Sequence, residues 1–532
     1  MQGCYVGVNG KLRDETEAAA QRWHVGICSL LVACCLLLVH AADAEVVLPK
    51  VLGSHMVVQR SMPVHIWGWG GVGESISVSF RNETKTTTAD GAGFWEVYLS
   101  PGSAGGPFSL VVRGSNVVTL DDILVGDLWI ASGQSNMQMP MGGFSSAAVN
   151  NAEKEIAAAR YPQIRTMQIA QTSSLYPLDD ATVKSPWAKC TPETIRSFSA
   201  VGYFFARDVH RAEKVPIGII DSTWGGTPAE AWTSLPALTS HADMLPFLGA
   251  YADMMQGRAK TLRQIEIEKA LAERARANGE PAPKHIARRN VLSWQPAGLF
   301  NAMIAPLTPL GIKGVIWYQG EANRYSDRAG LYGKLFPLLI TDWRQAWGQG
   351  DFPFLYVQIS SWSPEVAALE SVAVVREAQR RTLALRNTAM VVSADIGDPH
   401  NVHAGDKQDV GARLTLAARA LAYNETVEYS GPAFRQVTRS GSSLRVWFDH
   451  AAGLRSKDGQ LPDFEIAGDD RKFVSAQARL DGETVIVDSP AVASPQYVRY
   501  AWQPNPQMTL QNGAGLPASP FSSDDRYFEE HP

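Results

Sequence analysis

The chain has 532 residues, of which 45% are hydrophobic and 19% are charged, and its formal net charge is −5. This length exceeds what one hydrophobic core usually fills, so about three domains are expected. The composition is that of a globular protein. It shows no basic stripe interleaved with aromatic residues, which a nucleic-acid-binding surface needs. No nucleic-acid partner is therefore predicted.

Residues 1–44 have the pattern of an export signal. The apolar run Val25 to Val39 ends at Ala42-Asp43-Ala44, a small-x-small cleavage pattern. This run is short for a membrane span, which needs about 20 apolar residues. We predict cleavage near Ala44, export to the periplasm or the extracellular space, and no membrane span in the mature form. A lipoprotein-type site at Cys34 is the alternative.

The pattern over residues 45–121 predicts a β-sandwich-like domain. Short runs such as Ser75 to Phe80 and Phe94 to Leu99 alternate between apolar and polar positions. Turn residues separate these runs, as at Asp90 to Gly93. Residues 425–532 show the same kind of pattern, and a second β module is predicted there.

Residues 122–424 alternate between strand and helix patterns, which predicts an α/β domain with a parallel sheet. Its first strand, Leu124 to Ala131, leads directly into a serine- and glycine-containing turn. Amphipathic helices are predicted at Ser199 to Ala212 and from a cap at Asp406 to Tyr423. A helical insertion is expected at about residues 236–290.

Ser135 is the candidate nucleophile. A strand that runs into a tight turn and then a helix presents a side chain at the carboxyl edge of a parallel sheet, where α/β folds bind ligands. The same turn leaves backbone N–H groups unpaired at the helix start, directed at developing negative charge. A serine at this point can act as a nucleophile beside its own oxyanion donors, or it can simply cap the helix.

Two further motifs follow predicted strands and are expected at the same edge of the sheet. In one motif the N–H of Gly225 or Gly226 is a candidate oxyanion donor, because glycine lets the backbone approach a ligand closely. In the other, the side-chain amide of Gln319 or Asn323 is a candidate donor that stays protonated throughout a reaction. Glu321, between those amides, is expected to fix a loop or a neighbouring side chain.

The loop that precedes the final helix holds a candidate base. A serine hydroxyl needs a base of near-neutral pKa, and the other nitrogen of that base needs an acceptor. Asp395, Asp398, His400 and His403 supply both kinds of group. Metal binding by the same four side chains is the alternative, although they lack the two histidines on one helix that common zinc sites use.

Four ordered motifs make the chain similar to the sialate O-acetylesterase family, a branch of the SGNH hydrolases, over roughly residues 46–424. The motifs are GQSNM at 133–137, WGGTP at 224–228, WYQGEAN at 317–323 and the loop at 397–403. The resemblance implies a flavodoxin-like α/β domain. It also implies an exported serine esterase that removes acetyl groups from carbohydrates, with no metal or other cofactor.

The resemblance further implies roles for single residues. Ser135 would be the nucleophile and His403 the base. The N–H groups of Ser135 and Gly226 and an amide of the 319–323 motif, for which we take Gln319, would form the oxyanion hole. The expected supporting residues are Glu321, Asn323 and Asp395.

Two positions depart from the family pattern. Many SGNH hydrolases carry the acid three residues before the histidine, where this chain has His400, so we predict Asp398 as the acid. Asp395 stays open as the acid, and so does a Ser–His dyad oriented by a backbone carbonyl. Ala404 stands where the family often has proline, which bears on the rigidity of the loop.

Two other functions are compatible with the sequence. A glycoside hydrolase would use Glu321 with Asp398 or Glu230, provided that the two carboxylates lie at a suitable separation. A non-catalytic sugar-binding protein would instead stack sugar rings on exposed tryptophans. The candidates for such stacking are Trp67, Trp69 and Trp224. For the esterase, acetylated sialic acids and acetylated plant or hemicellulose glycans are both candidate substrates.

Overall fold

The computed structural model describes residues 45–256, 273–274, 276–278, 291–363 and 369–528. The predicted export signal at residues 1–44 lies outside them, as does much of the predicted helical insertion at 236–290. Across the described ranges, no helix combines the length and the apolar character that crossing a bilayer requires.

The strands occupy three stretches of the chain: an N-terminal β-rich part, the central sheet and a C-terminal β-rich part. They are β1 Val57–Gln59, β2 Val64–Trp69, β3 Ser75–Phe80, β4 Glu83–Thr88, β5 Phe94–Leu99, β6 Gly105–Arg113, β7 Val117–Gly133, β8 Tyr161–Ile169, β9 Val183–Cys190, β10 Ile217–Thr223, β11 Gly314–Tyr318, β12 Phe354–Val357, β13 Thr388–Val391, β14 Ala433–Ser440, β15 Ser443–Asp449, β16 Arg455–Ser456, β17 Phe464–Ala467, β18 Val474–Ser475, β19 Gln477–Asp481, β20 Thr484–Asp488, β21 Tyr497–Tyr500, β22 Leu510–Gln511 and β23 Phe521–Ser522.

The α-helices named below lie between β7 and β14. They are α1 Ser135–Gln138, α2 Ala152–Ala158, α3 Pro192–Ile195, α4 Ala200–Glu213, α5 Leu235–Thr239, α6 Ser326–Trp347, α7 Leu369–Arg381 and α8 Lys407–Leu421. Short 3₁₀ turns include Ala229–Trp232, Glu321–Asn323 and Ala394–Ile396.

The central sheet has the strand order β13-β12-β11-β7-β10-β8-β9. Each neighbouring pair along this order is parallel, apart from β8 and β9, which are antiparallel. Parallel neighbours need crossover connections, and helices supply several of them. The α/β prediction for this part of the chain is confirmed.

Residues alternate along β7 between the two faces of the sheet. Leu128 and Ile130 pack in an apolar cluster with α6 and α7, whereas Trp129 and Ala131 pack in a second cluster with α4 and α8. Helices therefore cover both faces, which explains why this strand reads as a near-continuous apolar run.

Helix α8 begins at its predicted cap, Asp406, and α4 begins directly after Ser199, where its predicted pattern starts. The Ser199 hydroxyl accepts a hydrogen bond from the N–H of Gly202 at 3.0 Å, and the Asp406 carboxylate accepts one from Asp409 at 3.0 Å. The two helices pack against each other on one face of the sheet. Both helix predictions are confirmed.

β-rich segments flank the central sheet on either side in sequence. Strands β1 and β6 pair with β7, β3 and β4 extend that sheet, and β2 and β5 pair separately. The strands β14 to β23 form small sheets around an apolar cluster of their own. Because β7 runs across position 121, the division into 45–121, 122–424 and 425–532 stays a prediction.

Candidate active site

Three neighbouring strands bring the sequence motifs to one edge of the sheet. Strands β11, β7 and β10 lie side by side and parallel, and each ends where one of the motifs begins. The turn after β7 requires a glycine. Gly133 has φ +129°, and a Cβ there would lie 2.2 Å from the carbonyl oxygen of Tyr318. This close approach lets the N–H of Gln134 donate to that carbonyl at 2.9 Å.

Ser135 and His403 meet at this edge although 268 positions separate them in the sequence. The Nε2 atom of His403 lies 2.9 Å from the hydroxyl oxygen of Ser135, within hydrogen-bonding distance. The ring of Phe144 packs edge-on against the imidazole at a centroid distance of 5.1 Å. Ser135 and His403 both line an open cavity of about 580 Å³. This geometry lets the imidazole take the hydroxyl proton.

The imidazole of His403 is electrostatically suited to act as a base. Burial lowers its pKa below the ordinary histidine value, and the positive charge of Lys407 acts in the same direction. The ring is therefore neutral at neutral pH, which leaves Nε2 able to accept a proton.

The structure does not bring Asp398 or Asp395 to the imidazole. The carboxylate of Asp398 accepts a hydrogen bond from the N–H of His400 at 2.8 Å, which shapes its own loop. Asp395 instead forms a bidentate pair with Arg413 at 2.6 and 2.7 Å. Among the described residues, Nδ1 of His403 has no hydrogen-bond partner. In this structure the imidazole thus contacts Ser135 but neither of the two predicted acids, and it has no backbone carbonyl as acceptor among the described residues.

Two backbone N–H groups at the cavity are positioned as oxyanion donors. Ser135 is the first residue of α1, so its N–H has no partner within the helix. Gly226, at φ +73°, lines the same cavity, and its N–H has no acceptor in the described part of the chain. By contrast, the N–H of Gly225 already donates to the side chain of Gln138 at 2.6 Å. Of the two candidate glycines, Gly226 is thus the one whose N–H has no bond within the described part of the chain.

Neither Gln319 nor Asn323 offers its amide to the cavity. The amide nitrogen of Gln319 donates to the carbonyl of Thr227 at 3.2 Å and to Asn323 at 2.7 Å, and its oxygen accepts from Tyr332 at 3.0 Å. Asn323 in turn donates to Glu230 at 2.9 Å. Both amides are fully buried and committed to structural bonds, so the structure does not support Gln319 as the donor.

Gln134 is the cavity-lining amide that sequence reasoning missed. Its side-chain oxygen accepts hydrogen bonds from the N–H of Ala322 at 3.0 Å and of Gly320 at 3.5 Å. Both partners are donors, which fixes the amide orientation and leaves the NH₂ group without a partner among the described residues. The residue lines the cavity beside Ser135. Its position directly before the serine was the available signal.

Asn136 and Lys407 had no predicted role, yet they connect the motifs through buried hydrogen bonds. The side chain of Asn136 donates to Glu321 at 2.6 Å and accepts from Lys407 at 2.6 Å. Burial raises the pKa of the Glu321 carboxyl and lowers the pKa of Lys407 to about 7. Glu321 thus fixes a neighbouring side chain, as expected. The buried role of Lys407 could not be predicted from the sequence, because a lysine at a helix start is usually exposed to solvent.

The alternative functions find little support in this geometry. The carboxylate of Glu230 is buried in an ion pair with Arg328 and is not open to a sugar. Trp67 is buried, so its faces are not available for stacking, whereas Trp69 and Trp224 are partly exposed. Searching the described ranges gave no group of three histidine, cysteine, aspartate or glutamate side chains able to hold a metal ion.

The chain is similar to known carbohydrate esterases. A family profile described as carbohydrate esterase, sialic acid-specific acetylesterase, matches residues 289–421. Sialate O-acetylesterases of Mus musculus and Rattus norvegicus are 30% and 31% identical, and the alignments cover 88% and 89% of this chain and 93% of each relative.

A carbohydrate acetylesterase of Xanthomonas citri, solved by crystallography, shares the fold. It is 36% identical, with a TM-score of 0.77 over 90% of this chain and all of that chain. The predicted fold class and the predicted family are both confirmed. The chain is a carboxylic ester hydrolase and belongs to the sialate O-acetylesterase family.

Proposed function

We propose that the protein removes O-acetyl groups from carbohydrates through an acyl-enzyme intermediate formed on Ser135. The observation that carries this proposal is the 2.9 Å contact between Nε2 of His403 and the hydroxyl of Ser135 at the edge of an open cavity. A serine hydroxyl next to a neutral imidazole is the arrangement that activates this weak nucleophile.

In the first half-reaction the Ser135 oxygen attacks the acetyl carbonyl carbon while its proton passes to Nε2 of His403. The carbonyl oxygen becomes an anion that accepts hydrogen bonds from the N–H groups of Ser135 and Gly226 and from the NH₂ group of Gln134. The bond between the acetyl carbon and the sugar oxygen then breaks. His403 returns the proton to that oxygen, and the sugar leaves as an alcohol.

In the second half-reaction a water molecule gives a proton to His403 and attacks the acetyl group on Ser135. The same three donors stabilise the second tetrahedral intermediate. Its collapse releases acetate, and the proton returns to the serine oxygen. No group outside the cavity has to supply a proton, so the Ser–His pair is sufficient for both halves.

We further propose that the preferred substrates are acetylated sugars that carry a carboxylate, as sialic acids do. The guanidinium of Arg324 lines the catalytic cavity and is anchored there by donation to the carbonyl of Glu321 at 2.8 Å. Such a fixed planar cation suits a carboxylate. The names of the mouse and rat relatives support the same substrate class.

The substrate proposal is tested by comparing kcat/KM for O-acetylated sialic acid and for acetylated xylan fragments. The Arg324→Gln variant should lose activity towards the first substrate and keep it towards the second. Equal loss on both substrates would contradict a role in recognising the carboxylate.

Export is also proposed, with cleavage near Ala44. The apolar run at 25–39 and the small residues that follow it support this location. Mass spectrometry of the amino terminus of the protein recovered from outside the cytoplasm tests it. Recovery of the intact residues 1–44 on that protein would contradict cleavage.

The nucleophile is tested with Ser135→Ala, using release of a chromophore from an acetyl ester. We expect kcat to fall by about 10⁴-fold or more. The matched control is Ser132→Ala, which removes a buried hydroxyl three residues earlier that, among the described residues, donates only to the carbonyl of Ser222. A fluorophosphonate should label Ser135 and abolish turnover. Substantial activity in a verified Ser135→Ala preparation would refute the acyl-enzyme mechanism.

A further inference from the structure

A buried side-chain network connects the loops that carry Ser135 and His403. The ammonium group of Lys407 donates to the side-chain oxygen of Asn136 at 2.6 Å. The amide nitrogen of Asn136 then donates to Glu321 at 2.6 Å and to the carbonyl oxygen of Val402 at 3.0 Å. The side chains of Lys407, Asn136 and Glu321 are almost completely buried, with exposures of 1%, 0% and 3%.

The residues of this network lie beside the two residues of the proposed reaction, Ser135 and His403, or begin the helix that follows them. Asn136 follows Ser135 in α1, and Val402 precedes His403 in its loop. Lys407 is the first residue of α8, the helix that follows the histidine loop. One amide side chain therefore bonds to both loops, and Lys407 holds that side chain at its oxygen.

Stability alone does not account for the network, because burying two opposite charges usually gains little over apolar packing. The two charged groups are also not in direct contact in the network, since Asn136 lies between them. The Lys407 ammonium lies 5.5 Å from the ring centroid of Tyr318. Among the described residues, the titratable and charged groups near Lys407 are Tyr318, Glu321 and Asp406, and those that line the cavity with His403 are Glu321, Arg324 and His400.

We propose that Lys407 is a positioning residue of the esterase reaction: through Asn136 it helps to hold the backbone that carries His403 against Ser135, and its ammonium group places a positive charge near the imidazole. This inference rests on the proposed roles of Ser135 and His403. Lys407 itself touches neither substrate nor the reacting atoms. Its effect passes through the carbonyl of Val402 and through space to the imidazole.

The expected consequences follow from the two parts of this role. Without the ammonium group the Asn136 oxygen has no donor, so the amide is held only by the two bonds from its nitrogen. A displacement of the reacting groups by about 1 Å can cost about 100-fold in rate. Removing a nearby positive charge also raises the pKa of His403, because Lys407 is one of the groups that lower it.

The test uses Lys407→Met and Asn136→Asp in the full-length enzyme. Lys407→Met removes the donor and the charge and keeps a long side chain. Asn136→Asp keeps the volume and the bond to Lys407, but it loses the donor to Glu321 and Val402 and adds a negative charge.

A matched control is Lys313→Met. Like Lys407, this lysine lies near a tyrosine ring, with its ammonium 4.7 Å from the centroid of Tyr423, but it is only partly buried and lies before β11, at the end of the strand opposite the site. It has no contact with the network, so its replacement tests the general effect of removing a partly buried lysine charge.

We expect kcat to fall about 10- to 100-fold in both network variants, while KM changes by less than about threefold. The acid limb of the pH–rate profile should move upwards by roughly 0.5 to 1 pH unit in both variants. Lys313→Met should show neither change. A purely structural role would lower the amount of folded enzyme without moving the acid limb.

The inference is overturned if the folded variants keep kcat within about threefold of the parent and their acid limb does not move. If Lys407→Met does not fold, the isosteric Asn136→Asp decides by the same two measurements. Ser135→Ala is measured alongside. Activity in Ser135→Ala would refute the acyl-enzyme proposal, whereas an inactive Ser135→Ala with unaltered network variants would refute the positioning role alone.

Discussion

Replacing Asp398 with asparagine separates a Ser–His pair from a full triad. Among the described residues, the Asp398 carboxylate accepts one hydrogen bond, from the N–H of His400 at 2.8 Å, and none from the His403 ring. The side-chain oxygen of asparagine can accept the same bond. Only the extra strength that a charged acceptor gives is lost, about 1 kcal/mol. Expressed entirely in the transition state, this loss lowers kcat about fivefold.

A triad acid would behave differently. Replacing such an aspartate with asparagine lowers kcat by about 10⁴-fold, because the histidine tautomer is lost. The kcat expected for Asp398→Asn therefore differs by about three orders of magnitude between a Ser–His pair and a full triad. A steady-state assay with a chromogenic acetyl ester resolves this difference easily. The assay is run above the acid limb, so that His403 is neutral in every variant.

The matched control is Asp395→Asn. Its carboxylate pairs with Arg413 through two bonds at 2.6 and 2.7 Å, and losing this charge should cost roughly 1.5–3 kcal/mol of stability with little change in kcat. Thermal unfolding measures that loss. If folded Asp398→Asn turns over about 100-fold or more slowly than the parent enzyme, with KM unchanged, the assignment is refuted and the acid role returns to Asp398.

Three further predictions concern the same site. Gln134→Glu keeps the oxygen that accepts from Ala322 but loses the NH₂ donor, so kcat should fall about 10²- to 10³-fold, whereas the control Gln138→Glu should stay within about tenfold. Equal rates in these two variants would remove Gln134 from the oxyanion hole. The acid limb of kcat/KM should lie below the ordinary pKa of histidine, because burial and Lys407 lower the pKa of His403 and the neutral ring is the active base. A limb above that value, measured over a full pH series, would contradict this reasoning. Phe144→Ala should lower kcat by about three- to tenfold, since it removes the ring that packs on the imidazole, and an unchanged kcat would show that this contact does not orient the base.

Much of the fold followed from local sequence patterns. The strands before the three motifs and the helices α4 and α8 were predictable, because hydrophobic periodicity and caps such as Asp406 act within a few residues. The meeting of the serine and histidine loops was also predictable. Parallel strands present their carboxyl ends at one edge, so residues far apart in sequence are brought together there.

The identity of the supporting groups depended on tertiary contacts. Gln134 and Gln319 are the same residue type at comparable positions after a strand, and only their neighbours decide which amide reaches the cavity. Asp398 lies near His403 in sequence, but its carboxylate is taken by the backbone of its own loop.

Lys407 is the residue whose role depends most clearly on tertiary contacts. As the first residue after a helix cap it reads as a solvated lysine, yet it is buried because α8 packs against α4 and the sheet beside Asn136. The sequence by itself determined the fold class, the family and the two reacting side chains, since these depend on local patterns and on ordered motifs. Only the tertiary structure decided which amides, carboxylates and cations support those two side chains, because hydrogen-bond partners and burial are properties of residues that pack together from distant parts of the chain.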